Sequence, residues 1–250
     1  RQGKLFITSG CSFTSRWPSF QSWPEQTFKI IKDSGYSTLN NAAQASTGNG
    51  LISRRVIYHV TEALKTHKPE DILVGVSWSG PSRMDYRVTD SNDLHFVKNK
   101  KKWWGVDNPT SLFKDASKNW VILNSHWAEK EIEEARIYYQ HFYDNLGAQI
   151  YTLEHMLRVQ WFLKQTGIKY FYTIYMNNVL NQKHIHNIEA QYLYQALDFD
   201  KFLPVASIYD WVLSNCDAFK PEDYDHPSEE HNKQFSEKVI VPWLKEKNYI

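Results

Sequence analysis

Two short stretches at opposite ends of the chain hold residue types that together can carry nucleophilic acyl chemistry. Near the start, Gly10-Cys11-Ser12-Phe13-Thr14 follows a short apolar run. Near the end, Asp223-Tyr224-Asp225-His226-Pro227-Ser228 precedes an amphipathic run. A serine hydroxyl becomes a nucleophile when an imidazole takes its proton and an acid fixes the imidazole's tautomer. Asp-X-X-His on a loop lets those two side chains fold toward each other, whereas Asp225, adjacent to His226, diverges from it. Ser12, His226 and Asp223 are therefore expected as nucleophile, general base and orienting acid, with Ser12 preferred over Cys11. Each stretch alone has a plainer reading: Ser12 as a cap of the next turn or helix, and the aspartate–histidine segment as a helix-capping loop. His231, one turn further on, reads as structural.

The elements that must position these groups alternate. Lys4–Thr8 reads as a buried strand feeding a tight turn at Ser9-Gly10. A helix is predicted over Pro24–Ser34, stopped by Gly35, and a second strand over Ser37–Asn41. Gly50–Thr66 places Ile52, Val56, Val60 and Leu64 at helical spacing. Ile72–Trp78 is a continuous apolar run of the kind found in central parallel strands. Residues 85 to about 150 break the rhythm as an excursion or lid, although Trp127–Asn145 within it is helical in pattern. Further helices are predicted over Tyr151–Thr166, Asn187–Leu197, Ser207–Leu213 and Ser228–Lys247, the last with a kink at Pro242, and a strand over Ile168–Tyr175. Strands and helices in this order imply an α/β fold: one domain over residues 1–250, a parallel sheet with helices on both faces. In such a sheet, ligands bind beyond the carboxyl ends of the strands, where Ser12 falls.

With both ends in view, the chain resembles the SGNH/GDSL hydrolase superfamily. The family's first block, Gly-Asp-Ser-(Leu/Phe), is met by Gly10-Cys11-Ser12-Phe13, and its last, Asp-X-X-His-Pro, by Asp223, His226 and Pro227. Its second block, Asn-X-Ala-X-X-Gly-X-Ser-Asn, has the frame of Asn41-Ala42-Ala43-Gln44-Ala45-Ser46-Thr47-Gly48-Asn49. The resemblance implies a three-layer, flavodoxin-like α/β/α sandwich and hydrolysis of acyl esters on sugars, lipids or small alcohols, without a metal or organic cofactor. It also implies that the N–H groups of Ser12 and Ser46 face the oxyanion. The chain departs from the family in three places. Cys11 stands where the family has Asp, and Ser46 where it has the donor glycine. The third block, Gly-X-Asn-Asp, is absent from Val76-Ser77-Trp78-Ser79-Gly80-Pro81-Ser82-Arg83. One lost oxyanion donor costs about 10²–10³ in rate. Gly48, Asn49, Ser79 and Arg83 are the residues nearest in sequence that can line the pocket, with Ser79, Asn49 or Arg83 as replacement donors. The missing asparagine also leaves open an SGNH-like fold kept for glycan binding or assembly, and an acyltransferase would use the same triad.

Composition narrows the partners. A net charge of +1 gives no general pull toward nucleic acid, and no run of 18 apolar residues reads as a membrane span. Two cysteines make no disulfide framework and no signal-peptide pattern opens the chain, which favours a soluble, cytoplasmic setting; the chain starts at Arg1 rather than Met, so a lost leader stays open. Aromatic residues reach 15%, more rings than a core requires, which points to a glycan ester as substrate. Lys98-Asn99-Lys100-Lys101-Lys102 reads as a solvated basic loop, His184 and His186 as loop histidines without a third metal ligand, and Gly48-Asn49-Gly50 as a helix start able to hold an anion. The Tyr138, Tyr139, Phe142, Tyr143 stripe reads as helix packing.

Overall fold

The apolar runs become the centre of a parallel sheet. The computed structural model describes residues 3–17, 19–87, 120–125, 133–205, 207–219 and 225–250. Strands β1 (Lys4–Ser9), β2 (Tyr36–Asn41), β3 (Ile72–Trp78) and a later strand (Lys169–Ile174) form one sheet in the order β2-β1-β3-Lys169–Ile174, every pair parallel. A single parallel bridge from Tyr172 to Phe202 extends the far edge. All seven residues of β3 are buried, as a strand that is apolar except for Ser77 and covered on both faces must be. Gly75 is needed there: a Cβ would come within 2.6 Å of the Phe171 ring, which with Trp23 fills the space above the strand.

Helices α1 (Trp23–Ile31) and α2 (Asn49–Ala63) follow the first two strands, α1 with Pro24 in its first turn. A 3₁₀ turn after α1 runs into Gly35, whose φ of 92° only glycine adopts without strain. Next come β4 (Met84–Arg87) and β5 (Trp120–Leu123), an antiparallel pair at the base of the excursion. Most of the excursion, with the Lys98–Lys102 run, lies outside the described residues. The remaining larger helices are α3 (Glu133–His141), α4 (Asn145–Thr166), α5 (Ile208–Asn215) and α6 (Glu229–Phe235), and the strand Lys169–Ile174 is β6. A π-helical turn over Ser236–Ile240 leads into α7 (Val241–Glu246). Helices α2 and α4 cover one face; α1 and the C-terminal helices cover the other, making the α/β/α sandwich. The widened turn accommodates Pro242, which lacks an N–H and whose ring would crowd a regular preceding turn.

Most element boundaries shift by one to three residues from expectation, and one shifts further. Helix α4 starts at Asn145, six residues before the predicted Tyr151, because Asp144 caps it by accepting the Gly147 N–H at 2.7 Å. Ala148 and Gln149 are already buried, so the excursion gives way to sheet-covering structure before residue 150.

On α4, His155 sits where α4 meets α2. Burial, then Arg158 and Arg54, lower its pKa from 6.5 to about 4. The unfolded chain thus binds a proton between those values that the folded chain refuses, and stability falls as pH drops from 6.5 toward 4. The shift corresponds to about 3 kcal/mol, lost across that window and not below it. Urea unfolding at pH 7 and pH 4 is expected to show His155→Gln losing about 2–3 kcal/mol less than wild type.

Candidate active site

Ser12 stands just past the carboxyl end of β1, beside β3, where the strand order reverses. The turn that carries it is tight. Thr14 N–H and Ser15 N–H both donate to Cys11 O at 3.0 Å, and a Cβ on Gly10 would lie 2.4 Å from Thr14 Oγ1 and 3.0 Å from Ser77 O. Gly10 is therefore required by close approach. Cys11 is fully buried in the core, which agrees with a packing role for the position. Trp23 Nε1 donates to Thr14 Oγ1 (3.1 Å), and both Ser22 Oγ and Asn41 Nδ2 donate to Thr14 O (2.9 and 2.8 Å). These bonds tie the Ser12 turn to α1 and to the end of β2.

The loop after β2 is fastened to the same turn. Gln44 N–H donates to Gly10 O at 3.1 Å, and Thr47 Oγ1 donates to it at 3.2 Å. Arg55 Nη1 donates to Ala42 O at 2.8 Å and its other nitrogen to Gln44 Oε1; burial lowers this guanidinium's pKa, with Asp85 pulling it back up. At the tip, Ser46 has φ 64°, the left-handed conformation that favours glycine. The family's glycine position is thus occupied by a residue that tolerates the turn at a cost of about 1 kcal/mol. Ser46→Gly is expected to raise stability by about 0.5–1 kcal/mol in urea unfolding without removing the N–H donor, whereas Ser46→Val should lower it.

His226 arrives from the other end of the chain. Its Nε2 lies 2.9 Å from Ser12 Oγ. With the proton on Nδ1, Nε2 accepts from the hydroxyl, the relation a general base needs. The imidazole is half-buried between Phe13 (ring centroids 4.8 Å apart) and the edge of Trp17 (5.6 Å). Ser12 is 8% exposed, so the pair is reachable yet mostly shielded from water. The start of α6 fixes the histidine loop: Ser228 caps this helix in a reciprocal box with His231, and Asn232 Nδ2 donates to Pro227 O at 3.0 Å. His231 is structural, as its position in the sequence suggested. Asp225, exposed at φ 59°, turns the chain away. Asp223 lies outside the described residues.

No family model matches the chain, and no curated protein matches it. Among solved structures it is similar to TesA, at 12% identity over 97% of this chain and 99% of that chain, with a TM-score of 0.49. It is likewise similar to the lipase Lip_vut3 from a goat rumen metagenome, at 11% identity over 98% of both chains and a TM-score of 0.49. The roles of the site residues rest on the geometry of the site itself.

Three residues expected to line the pocket do something else. Asn49 is buried with its amide fully committed: Nδ2 donates to Ser79 O (2.9 Å) and Thr152 Oγ1 (3.1 Å), and Oδ1 accepts the Ser79 N–H (2.7 Å). It cannot also turn toward an oxyanion. Ser79 is fully buried by the same clamp, and its Oγ accepts from Arg83 Nη1 at 2.8 Å. Gly48 is packed, not open: a Cβ there would come within 2.6 Å of Arg83 O. The anion at the start of α2 is the chain's own Asp85, which accepts the Leu51 N–H at 3.1 Å and pairs with Arg54. Arg83 lays its guanidinium 5.3 Å above the Tyr175 ring, which in turn meets Phe13, the neighbour of Ser12, at 5.2 Å. Among the described residues, no group of three His, Cys, Asp or Glu side chains is placed to hold a metal.

Two site residues were not expected from the sequence. Trp17 donates from Nε1 to Ser12 O at 3.0 Å while its ring abuts His226. A tryptophan five residues after the serine, just before Pro18, was the available signal. The other is Asn41, a clamp on Thr14, although it opens the second block.

Proposed function

We propose that this chain is a serine esterase of the SGNH type, cleaving an acyl ester through Ser12, His226 and Asp223. The observation that carries the reading is the 2.9 Å contact between His226 Nε2 and Ser12 Oγ, made by residues 214 positions apart at the carboxyl edge of a parallel sheet. In the forward step Ser12 Oγ attacks the acyl carbonyl and His226 takes its proton. The tetrahedral adduct then collapses: the acyl C–O bond breaks and His226 protonates the departing alcohol. Water, deprotonated by His226, releases the acid and restores Ser12. Asp223 holds the imidazole's tautomer, and the N–H groups of Ser12 and Ser46 receive the oxyanion. With Asn49 and Ser79 committed elsewhere, Arg83, bonded to Ser79 Oγ through Nη1 alone, is the side chain of the expected set left to help with its other N–H groups. A panel of p-nitrophenyl and sugar esters, run on wild type and Ser12→Ala, tests the reading. Turnover by wild type and its loss in the variant support it, and equal inactivity of both defeats it.

A further inference from the structure

The same edge of the sheet holds, past β3 and β6, a cleft of about 340 Å³, large enough for a small ligand; Ser12 and His226 are not among its lining residues. Its walls come from the chain just past β3 (Gly80), the chain just past β6 (Tyr175, Asn178, Asn181) and the first turns of α4 (Asn145, Gln149). Adjacent strands lie about 4.8 Å apart, so β6, two places along the sheet, stands roughly 10 Å from the β1 strand that delivers Ser12, about the length of two sugar rings. Tyr175 links the two places: it lines the cleft, and its ring meets Phe13 edge-on at 5.2 Å.

The chemistry of the walls selects a ligand. None of the described lining residues is Asp, Glu, Lys or Arg, in a chain that is 23% charged. No lining carboxylate is there to meet a cation, and the Arg83 guanidinium over the Tyr175 wall already donates to Ser79 Oγ. Side-chain amides, two phenols (Tyr143 and Tyr175), two serines and His184 line the cleft instead, groups of types that can both donate to and accept from hydroxyl groups. The amides are pre-set. Gln149, 1% exposed, donates to Val179 O (3.0 Å) and accepts the Asn181 N–H (3.0 Å), fixing the cleft floor. Asn181 commits its oxygen to the Lys183 N–H (3.0 Å), and Asn145 its oxygen to the Tyr143 hydroxyl (2.6 Å), which orients each NH₂ as a donor. Donors fixed before binding lower the entropic cost of holding a polar ligand. An adjoining groove, which shares Asn178 and Asn181 with the cleft and adds Phe199, Phe202 and Leu203, is where an alkyl chain would go.

We propose that this cleft binds a neutral saccharide, the alcohol part of the ester that Ser12 cleaves; the link to cleavage rests on the esterase reading above. The test compares kcat/KM for mono-O-acetylated methyl hexopyranosides and acetylated xylobiose with that for p-nitrophenyl acetate and p-nitrophenyl decanoate. At least one acetylated saccharide is expected to exceed both p-nitrophenyl esters relative to their uncatalysed rates. In Asn181→Ala, and separately in the exposed Asn178→Ala, the ratio of saccharide to p-nitrophenyl acetate kcat/KM should fall at least tenfold, chiefly through KM. A ratio within twofold of wild type in both variants, or a preference for the decanoate, overturns the proposal. If wild type cleaves nothing, the esterase reading fails by itself, and ligand-observed NMR of the unacetylated saccharides with Ser12→Ala decides the cleft. Saturation transfer that disappears on adding Asn178→Ala or Asn181→Ala supports it, and no transfer to any of these saccharides overturns it.

Discussion

Ser12→Ala and His226→Ala are each expected to lower kcat/KM for a cleaved ester by about a thousandfold or more, and the double variant to be no worse than either alone. The two side chains share one proton at 2.9 Å, so removing either ends the same step. Independent contributions would multiply; a single machine stops once. The residual rate then measures what binding and the backbone donors supply without a nucleophile. Neither change should unfold the chain. Ser12→Ala removes one hydroxyl at a site 8% exposed, and His226 is only half-buried. Circular dichroism and urea midpoints close to wild type are the accompanying check. Multiplying losses in the double variant would mean that serine and histidine act in separate processes.

The second large effect is on stability. Asn49→Ala removes three hydrogen bonds and strands both the N–H and the C=O of Ser79, a fully buried residue. Each buried backbone group left without a partner costs about 1–3 kcal/mol, so a loss of roughly 3 kcal/mol is expected, a large share of a typical domain's margin. Asn49→Asp should not rescue it. The carboxylate still accepts the Ser79 N–H, but its second oxygen faces the Ser79 carbonyl where an N–H₂ had donated. Urea unfolding of both variants reads this directly. A loss below 1 kcal/mol in Asn49→Ala would show that the clamp does not hold the chain after β3.

How much of this was legible beforehand differs by element. Ile72–Trp78 matches its expected bounds because a strand buried on both faces is apolar at nearly every position, Ser77 being the exception, and it ends at Ser79-Gly80-Pro81. That Ser12 and His226 would meet was legible from a Gly-X-Ser turn after the first strand and an Asp-X-X-His-Pro segment before the last helix, the two blocks that carry the resemblance. The start of α4 was not, since its first turn carries Asn145 and Gly147, and the cap at Asp144 has no periodic signature. Asn49 was the instructive error. An asparagine beside a predicted oxyanion loop has the right chemistry to help there, and only the packing of α2 against the end of β3 shows that its amide is spent on Ser79 and Thr152. The same holds for Gly48 and Gly50. Along the chain they suggest an empty anion cradle, while the fold brings Asp85 from β4 into that place.

The central claim, that Ser12 is a nucleophile activated by His226, is tested most directly by covalent labelling. The protein is treated with a fluorophosphonate, which phosphonylates activated serines, and the adduct is located by peptide mass spectrometry. One adduct per chain is expected, on Ser12, absent in Ser12→Ala and strongly slowed in His226→Ala. Absence of any adduct, an adduct on another serine, or labelling of Ser12 at the same rate without His226 would contradict the account.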